Sequence, residues 1–448
     1  MSQTKPTRRN FLATAGAAGL FTIVPRHVLA ASGEPAPSDK LNIAGIGVGG
    51  MGGVNIANCA ADNIVALCDV DPAYAAKTFE KYPAAKVFKD YRKMLEEQKD
   101  IDAVVIGTPD HTHAVISMAA IKAGKHVYCQ KPLTHDVYES RMLARAAREA
   151  GIISQMGIQG HSGAGLPLIC EWIWDGAIGT ITEVDAWCSL SYYPFGHAGW
   201  SSKWSDRPTD TPPVPEGMDW DLWLGPAPER PYHPAYHPAV WRCWWDFGSG
   251  MMGDRGVHTL DCVHTALKLG APETIQATTM GGNNETHPLA AIVTFRFPAR
   301  GDLPPLKVNW YEGLEAPRPP ELEEGRNPPA EGGVYFKGDK GVIMAGVYGD
   351  SPRIVPESVM KAYKMPAKTY PRIEGTHEQE WIEACKAKRP ANANFDYSGA
   401  LTEVAQLGNI ARRFPGHVLH WDAENLKITN LPEAADWVRR PYRTGWSL

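Results

Sequence analysis

None of the eight cysteines stands in C-x-x-C spacing with another, so a zinc ribbon is not indicated. Cys68, Cys129 and Cys188 lie inside strand-like runs and read as small buried hydrophobes. Charge of one sign is also scarce. A formal net charge of -5 gives no reason to expect nucleic acid or an anionic membrane as partner. No apolar stretch approaches the length needed to span a bilayer, and there are no internal repeats. What remains is an ordinary globular composition, 44% hydrophobic and 21% charged. Its 448 residues suit two domains. Only the 15 Trp and 37 Pro are unusual.

The first thirty residues follow an order of their own. Thr7-Arg8-Arg9-Asn10-Phe11-Leu12 precedes a short apolar run, Ala13 to Val24, and then Val28-Leu29-Ala30. The adjacent arginines, with Phe and Leu behind them, resemble the twin-arginine export signal. That resemblance implies a signal peptide over residues 1–31, a Pro/Ser-rich spacer over 32–39, and a periplasmic or extracellular location. No membrane association is expected once the signal is removed. Proteins on that route cross already folded, so export does not by itself imply disulfides.

From residue 40 the chain alternates strand-like and helix-like segments. Strands are expected at Leu41 to Ile46, Ile64 to Cys68, Ala103 to Ile106, His126 to Cys129 and Ile152 to Met156. Helices fall between them, at the glycines after Ile46 and over Pro72 to Tyr82, Ala114 to Ala123 and Val137 to Ala150. This is an α/β pattern, a doubly wound parallel sheet over residues 40–158. The character changes near Gly157. Alternating runs at Ile275 to Thr279, Ala290 to Phe297 and Leu306 to Tyr311 predict a large, mostly antiparallel open sheet in an α+β domain over 159–448. A Trp- and Pro-rich stretch, about 191–247, interrupts that domain.

Gly47-Val48-Gly49-Gly50-Met51-Gly52 closes the first strand as G-x-G-x-x-G. Gly47 allows the tight turn, Gly49 lets backbone approach a pyrophosphate, and Gly52 lets helix and strand pack closely. The phosphates would lie on the helix N-terminus. Asp69 follows 22 residues after Gly47, where a carboxylate can receive the ribose hydroxyls. With Asp71 beside it, and no Arg or Lys close in sequence, a 2′-phosphate would be repelled. The cofactor expected is NAD.

Three further signatures follow in order: Thr108-Pro109-Asp110-His111-Thr112-His113, then His126-Val127-Tyr128-Cys129-Gln130-Lys131-Pro132, then Gly248 to His258. With the glycine motif they resemble the Gfo/Idh/MocA oxidoreductases, the group containing glucose-fructose oxidoreductase and inositol dehydrogenase. The resemblance implies that Gly47, Gly49, Gly50, Met51, Gly52, Asp69, Thr108, Pro109, His113, Gln130 and Lys131 hold the cofactor. It further implies that Lys131 stands beside the nicotinamide and that Asp254 and His258 line the same site. One departure is that Gln130-Lys131-Pro132 stands where the family usually has Glu-Lys-Pro. Independently of the resemblance, Asp254 and His258 are i and i+4 on one helix face. Removing a hydroxyl proton during hydride transfer suits a neutral His or a lysine of depressed pKa.

On the substrate side, Gln159 and His161 follow the last strand of the parallel sheet, at the expected crevice rim. Aromatics of the insertion, Tyr192 and Trp244 among them, could offer faces to pyranose rings. No metal is expected, since Pro234 and Pro238 separate His233 and His237 from any helix that would pair them. The activity expected is oxidation of a sugar or glycoside hydroxyl, at C3, by tightly bound and recycled NAD. The alternatives are an NAD-dependent glycoside hydrolase working by oxidation, elimination, addition and reduction, and a non-catalytic sugar-binding protein. The resemblance also implies a homo-oligomer, a dimer or tetramer, built on the open sheet.

Overall fold

The computed structural model describes residues 39–192 and 202–448. The expected signal peptide, nearly all of the spacer, Tyr193 and Trp200 lie outside the described residues.

The first strand, β1 (Asn42–Ile46), is a continuous apolar run buried on both faces, as a central parallel strand must be. Around it lie β2 (Asn63–Cys68), β3 (Lys86–Phe88), β4 (Ala103–Ile106), β5 (His126–Gln130) and β6 (Ser154–Gly157). Their order is β3-β2-β1-β4-β5-β6, all parallel, with the reversal of direction at β1/β4. Such a reversal leaves a crevice at the strands' carboxyl ends. The linking helices are α1 (Gly50–Asn58), α2 (Pro72–Lys81), α3 (Tyr91–Glu97), α4 (Asp110–Lys122) and α5 (Val137–Ala150). Local chemistry sets their ends. Asp71 caps α2, accepting from Ala73 N and Tyr74 N, with Pro72 at the first helical position. Asp136 and Glu139 form a capping box on α5, which stops at Gly151 in the left-handed region, φ 64°.

After α6 (Gly165–Trp174) the chain enters a nine-stranded sheet: β7 (Ile181–Cys188), β8 (Thr274–Met280), β9 (Ala290–Phe297), β10 (Leu306–Glu312), β11 (Gly332–Gly338), β12 (Gly341–Gly346), β13 (Arg353–Val355), β14 (Val418–Asp422) and β15 (Lys427–Ile428). All neighbours are antiparallel except β7 and β10, so the expected architecture is present with one parallel pairing. Burial alternates along β9, leaving one face of the sheet against the core. The β11–β12 hairpin falls where no strand was expected, whereas β7 ends in the strand-like run around Cys188. Glycines at both ends of β11 and β12 weaken the alternating signal there.

From Ser202 onward the Trp- and Pro-rich stretch packs its aromatic rings against one another. It carries α7 (Trp220–Leu224), whose Trp220 and Trp223 rings stack 4.5 Å apart. Further on, the chain winds through a π-turn, Met252–Gly256, and continues as α8 (Val257–Ala266). Later come α9 (Glu357–Ala362), α10 (His377–Ala387), α11 (Phe395–Arg413) and α12 (Pro432–Ala435). The last segments return to the parallel sheet's side. Met156 N donates to Ala393 O at 2.9 Å, and Tyr138 N to Val438 O at 3.0 Å.

Candidate active site

A cleft of about 380 Å³ opens over the carboxyl ends of β1, β2, β4 and β5. Gly47, Gly49, Gly50, Met51, Asp69, Thr108, Pro109, Gln130 and Lys131 line it. Gly47 turns the chain at φ 71°. A Cβ there would lie 2.7 Å from Thr108 N, so only glycine leaves the loop seated on the next strand's turn. No side chain caps α1 and no acid occupies its first turn. Its N-terminal N–H groups are therefore left for an anionic ligand. The donor set fits a dinucleotide, and Gly50 and Met51 would hold its pyrophosphate.

Three residues of this half have partners that the sequence did not show. Asp69 lines the cleft but braces the glycine loop. Its Oδ2 accepts from Val48 N at 2.9 Å and Gly49 N at 3.2 Å, and its Oδ1 from Asp71 N at 3.0 Å. Burial pushes its pKa up to about 6, against those three N–H groups. Asp71 does not face a ribose. Beside its helix cap it takes His237 Nε2 at 2.7 Å. Finally, a lysine does stand at that end. Lys89 lines the cleft, with its Nζ on Gly217 O at 2.8 Å.

Gly52 and His113 lie behind the cleft wall. His113 is fully buried, with Nδ1 2.8 Å from Pro132 O and Nε2 2.8 Å from Thr108 O. It ties the two signature turns together rather than touching the cofactor space.

The other wall carries the chemistry. Lys131 donates to Asp254 O at 3.0 Å and is ion-paired with the Asp254 carboxylate. Tyr192 donates its hydroxyl to the other oxygen of that carboxylate. Arg242 Nε lies 3.9 Å from Asp254 Oδ1. Burial opposes ionisation of Asp254, but Lys131, Arg242 and Tyr192 hold it well below the usual carboxylate range. Burial lowers the Lys131 pKa, Asp254 resists this, and Arg242 adds to the lowering. The π-turn places Asp254 here, and such turns recur at functional sites.

His258 is buried beside this group but does not line the cleft. Its ring meets Tyr348 edge-on at 4.7 Å, and Nδ1 has no partner. Burial, then the Lys131 charge, holds its pKa well below the ordinary value, so the imidazole is neutral. His161 is engaged elsewhere, bonded to Asp261 Oδ1 at 2.8 Å and packed on Tyr397. Gln159 is half-buried and donates weakly to Tyr128 Oη at 3.4 Å. Trp244 is not at the site. It is fully buried, with its Nε1 on Ala235 O at 2.8 Å.

Several contributors had no local signal. Trp223, His237, Trp241, Arg242 and Trp446 line the cleft from far along the chain. Behind Gln130 stands an unexpected carboxylate. Gln130 Nε2 donates to Asn55 Oδ1 at 2.9 Å, and Asn55 Nδ2 to Glu378 Oε1 at 2.6 Å. Glu378 also takes Tyr128 Oη at 3.2 Å. The amide at position 130 is thus anchored to a buried acid on α10. Among the described residues no group of three His, Cys, Asp or Glu could hold a metal, and no helix is long and apolar enough to cross a membrane.

Comparison with known proteins agrees with this arrangement. Residues 41–158 match the oxidoreductase-family model for the NAD-binding Rossmann fold, and residues 194–296 match that family's C-terminal alpha/beta domain. Over these two segments the chain is similar to the Gfo/Idh/MocA oxidoreductases. Its first domain binds NAD. Levoglucosan dehydrogenase of Pseudarthrobacter phenanthrenivorans is 31% identical over 115 residues, 26% of this chain and 29% of that protein. Inositol 2-dehydrogenase of Rubrobacter xylanophilus is 29% identical over 155 residues, 34% of this chain and 44% of that protein. The chain therefore spans less than half the length of these relatives. Among solved structures, the WlbA dehydrogenase of Bordetella pertussis, in complex with NADH and UDP-GlcNAcA, superposes with TM-score 0.59 at 18% identity, covering 86% of this chain and 99% of that one. Levoglucosan dehydrogenase in complex with NADH superposes with TM-score 0.55 at 18% identity, covering 84% and 98%. At these identities the likeness is one of fold.

Proposed function

We propose that this protein is a Gfo/Idh/MocA-type NAD-dependent oxidoreductase that oxidises one hydroxyl, at C3, of a sugar or glycoside. The observation that carries the reading is the Lys131–Asp254 pair in the wall of the dinucleotide cleft. Relatives named for levoglucosan and inositol support a carbohydrate or polyol substrate. What NAD supplies when bound is a hydride acceptor beside the substrate carbon. Lys131, its pKa lowered by burial, takes the hydroxyl proton at Nζ in its neutral form and returns it in the reverse direction. Asp254 fixes the position of Nζ through two contacts, and Tyr192 holds the carboxylate from its other side. Neutral His258, buried behind the pair and off the cleft, adds no charge to it.

The Arg8-Arg9 signal supports export by the twin-arginine route, to the periplasm or beyond, with cofactor already bound. Away from a free NAD pool, the cofactor would be recycled on the enzyme. A homo-oligomer is also proposed. Thr278, Ile292 and Tyr311 sit abreast on β8, β9 and β10 and are exposed or half-exposed, a face suited to a second copy.

The test is incubation of the purified protein with alkyl and aryl hexosides, followed by mass spectrometry and by absorbance of reduced nicotinamide. A 3-keto product supports the reading. Free sugar released without net nicotinamide reduction would replace it with the redox-neutral glycosidase. No product from any hexoside or polyol would overturn the enzyme assignment.

A further inference from the structure

The cleft has a roof that belongs to neither sheet. Between Asp219 and Cys243, Leu222, Trp223, His237, Pro238, Ala239, Trp241 and Arg242 face the glycine loop across it. The segment is pinned to the parallel-sheet domain at several points. Asp219 N donates to Val70 O at 2.9 Å, His111 Nε2 meets Trp223 O at 2.9 Å, and His237 Nε2 meets Asp71 Oδ2 at 2.7 Å. From the chain's end, Arg443 Nε grips Gly225 O at 2.5 Å, and Trp446 closes the rim.

Two features of this roof point to a ligand beneath it. The first is Arg242, whose guanidinium lies 4.3 Å from the centre of the Trp241 ring, with Nη1 on Ala239 O at 3.0 Å. It is held rigid, and its charge reaches Tyr74, against the glycine loop, as well as Asp254 and Lys131. A planar cation that lines the same cleft as a helix N-terminus suits a diphosphate. The second is a pair of buried polar atoms on cleft-lining residues, Trp223 Nε1 and His237 Nδ1, that have no partner in the protein. Orphaned buried donors and acceptors are costly, and a polar ligand would supply the partners these two lack.

We propose that residues 219–243 form a lid over the dinucleotide, in which Arg242 faces the pyrophosphate and the His237–Asp71 bond is the clasp that slows release. The lid would make NAD a resident group, so its retention rests on the resident-cofactor reading above. Its contact residues rest only on NAD binding.

The experiment measures nucleotide, not turnover. The full chain is purified, passed through desalting columns, and its bound NAD extracted and quantified. Dissociation is then timed by displacement with a fluorescent NAD analogue. Wild type should keep its nucleotide. Arg242→Gln and His237→Ala should each lose it at least ten-fold faster, and Arg242→Lys should recover part of the loss. Release from folded Arg242→Gln at the wild-type rate would overturn the proposal. An unchanged release rate with a raised KM for sugar would make Arg242 a substrate contact instead. Ready release from wild type would sink the resident-cofactor reading, while a weaker equilibrium affinity in the variants would still support the lid. Limited trypsin digestion of wild type needs no variant. NAD should protect the lid at Arg242, and equal cleavage there with and without NAD would refute it.

Discussion

His113 Nδ1 lies 2.8 Å from the carbonyl oxygen of Pro132, with the Thr108 carbonyl at the same distance from Nε2. Carbonyls only accept, so both ring nitrogens must carry hydrogen and the ring must be an imidazolium. Burial opposes that charge, but Cys129, Asp110 and the Pro132 carbonyl outweigh it, and the pKa rises to about 9. A histidine with a raised folded pKa stabilises fully below its ordinary value, and that stability is lost as pH rises through the folded one. Between pH 6.5 and about 9 this residue should contribute a falling slope of about 1.4 kcal/mol per pH unit. His113→Leu should cost about 2–4 kcal/mol near neutrality, because two buried carbonyls lose their donors. Urea unfolding at the two ends of that window checks both: the variant should be less stable, and its slope flatter.

Lys131→Met removes the base while keeping the length of the side chain. With the proton acceptor gone, kcat should fall by about 10²–10⁴. NAD affinity should change little, since the glycine loop and lid remain. Steady-state kinetics beside a direct NAD titration separates the two. A full loss of NAD binding with the fold intact would show that Lys131 serves the cofactor, not the proton.

Asp254→Asn asks what the carboxylate does for that lysine. Without it, Lys131 and Arg242 are left facing each other in a buried site, so the Lys131 pKa drops further. The limb of the kcat/KM pH profile that reports Lys131 should therefore move to lower pH, with a rate loss of about 10²-fold. Asp254 also carries stability of its own, because its pKa is depressed in the fold. That contribution is present above the ordinary carboxylate value and is lost as pH falls. The variant should accordingly lose less stability than wild type on acidification, which thermal melts across the acid range will read.

The parts legible in the sequence are those in which neighbours in the chain are neighbours in space. The Gly47–Gly52 turn, the strand ending at Lys131, and Asp254 with His258 on one helix each announce themselves within a few residues. The roles of Asp71 and Gln130 were not legible, because His237, the partner of Asp71, lies 166 positions further along (237 − 71), and Gln130 reaches Glu378 only through Asn55, 75 positions back (130 − 55). No periodicity encodes such pairings. Arg242 was hidden for the same reason, inside a Pro-rich stretch whose sequence has little periodicity. The aromatic residues of that stretch misled in one respect, since Trp244 suits a sugar platform or a core equally well by composition.

Trp244→Ala tests that last point directly. The side chain is fully buried, its indole bonded to Ala235 O and packed edge-on against Tyr236 at 4.8 Å. Its removal should cost about 3–5 kcal/mol in unfolding free energy, the usual range for a buried tryptophan. The KM for sugar in the folded fraction should stay near wild type. A raised KM without loss of stability would restore Trp244 to the substrate side.

Gly52 offers the sharpest steric test of the cofactor half. A Cβ there would sit 1.8 Å from Gly47 O and 3.5 Å from the Gly107 Cα. Both neighbours are backbone, so no side-chain rotation can relieve the clash, and α1 must lift off the β1 turn. Overpacking of this kind costs about 1–3 kcal/mol. Displacement of the helix N-terminus should also abolish measurable NAD binding. Alanine at the neighbouring Met51, which is 46% exposed, should leave stability within about 0.5 kcal/mol of wild type. Thermal melts and NAD titration of Gly52→Ala beside Met51→Ala decide the matter. NAD binding by Gly52→Ala at wild-type strength would mean that the loop does not seat the pyrophosphate.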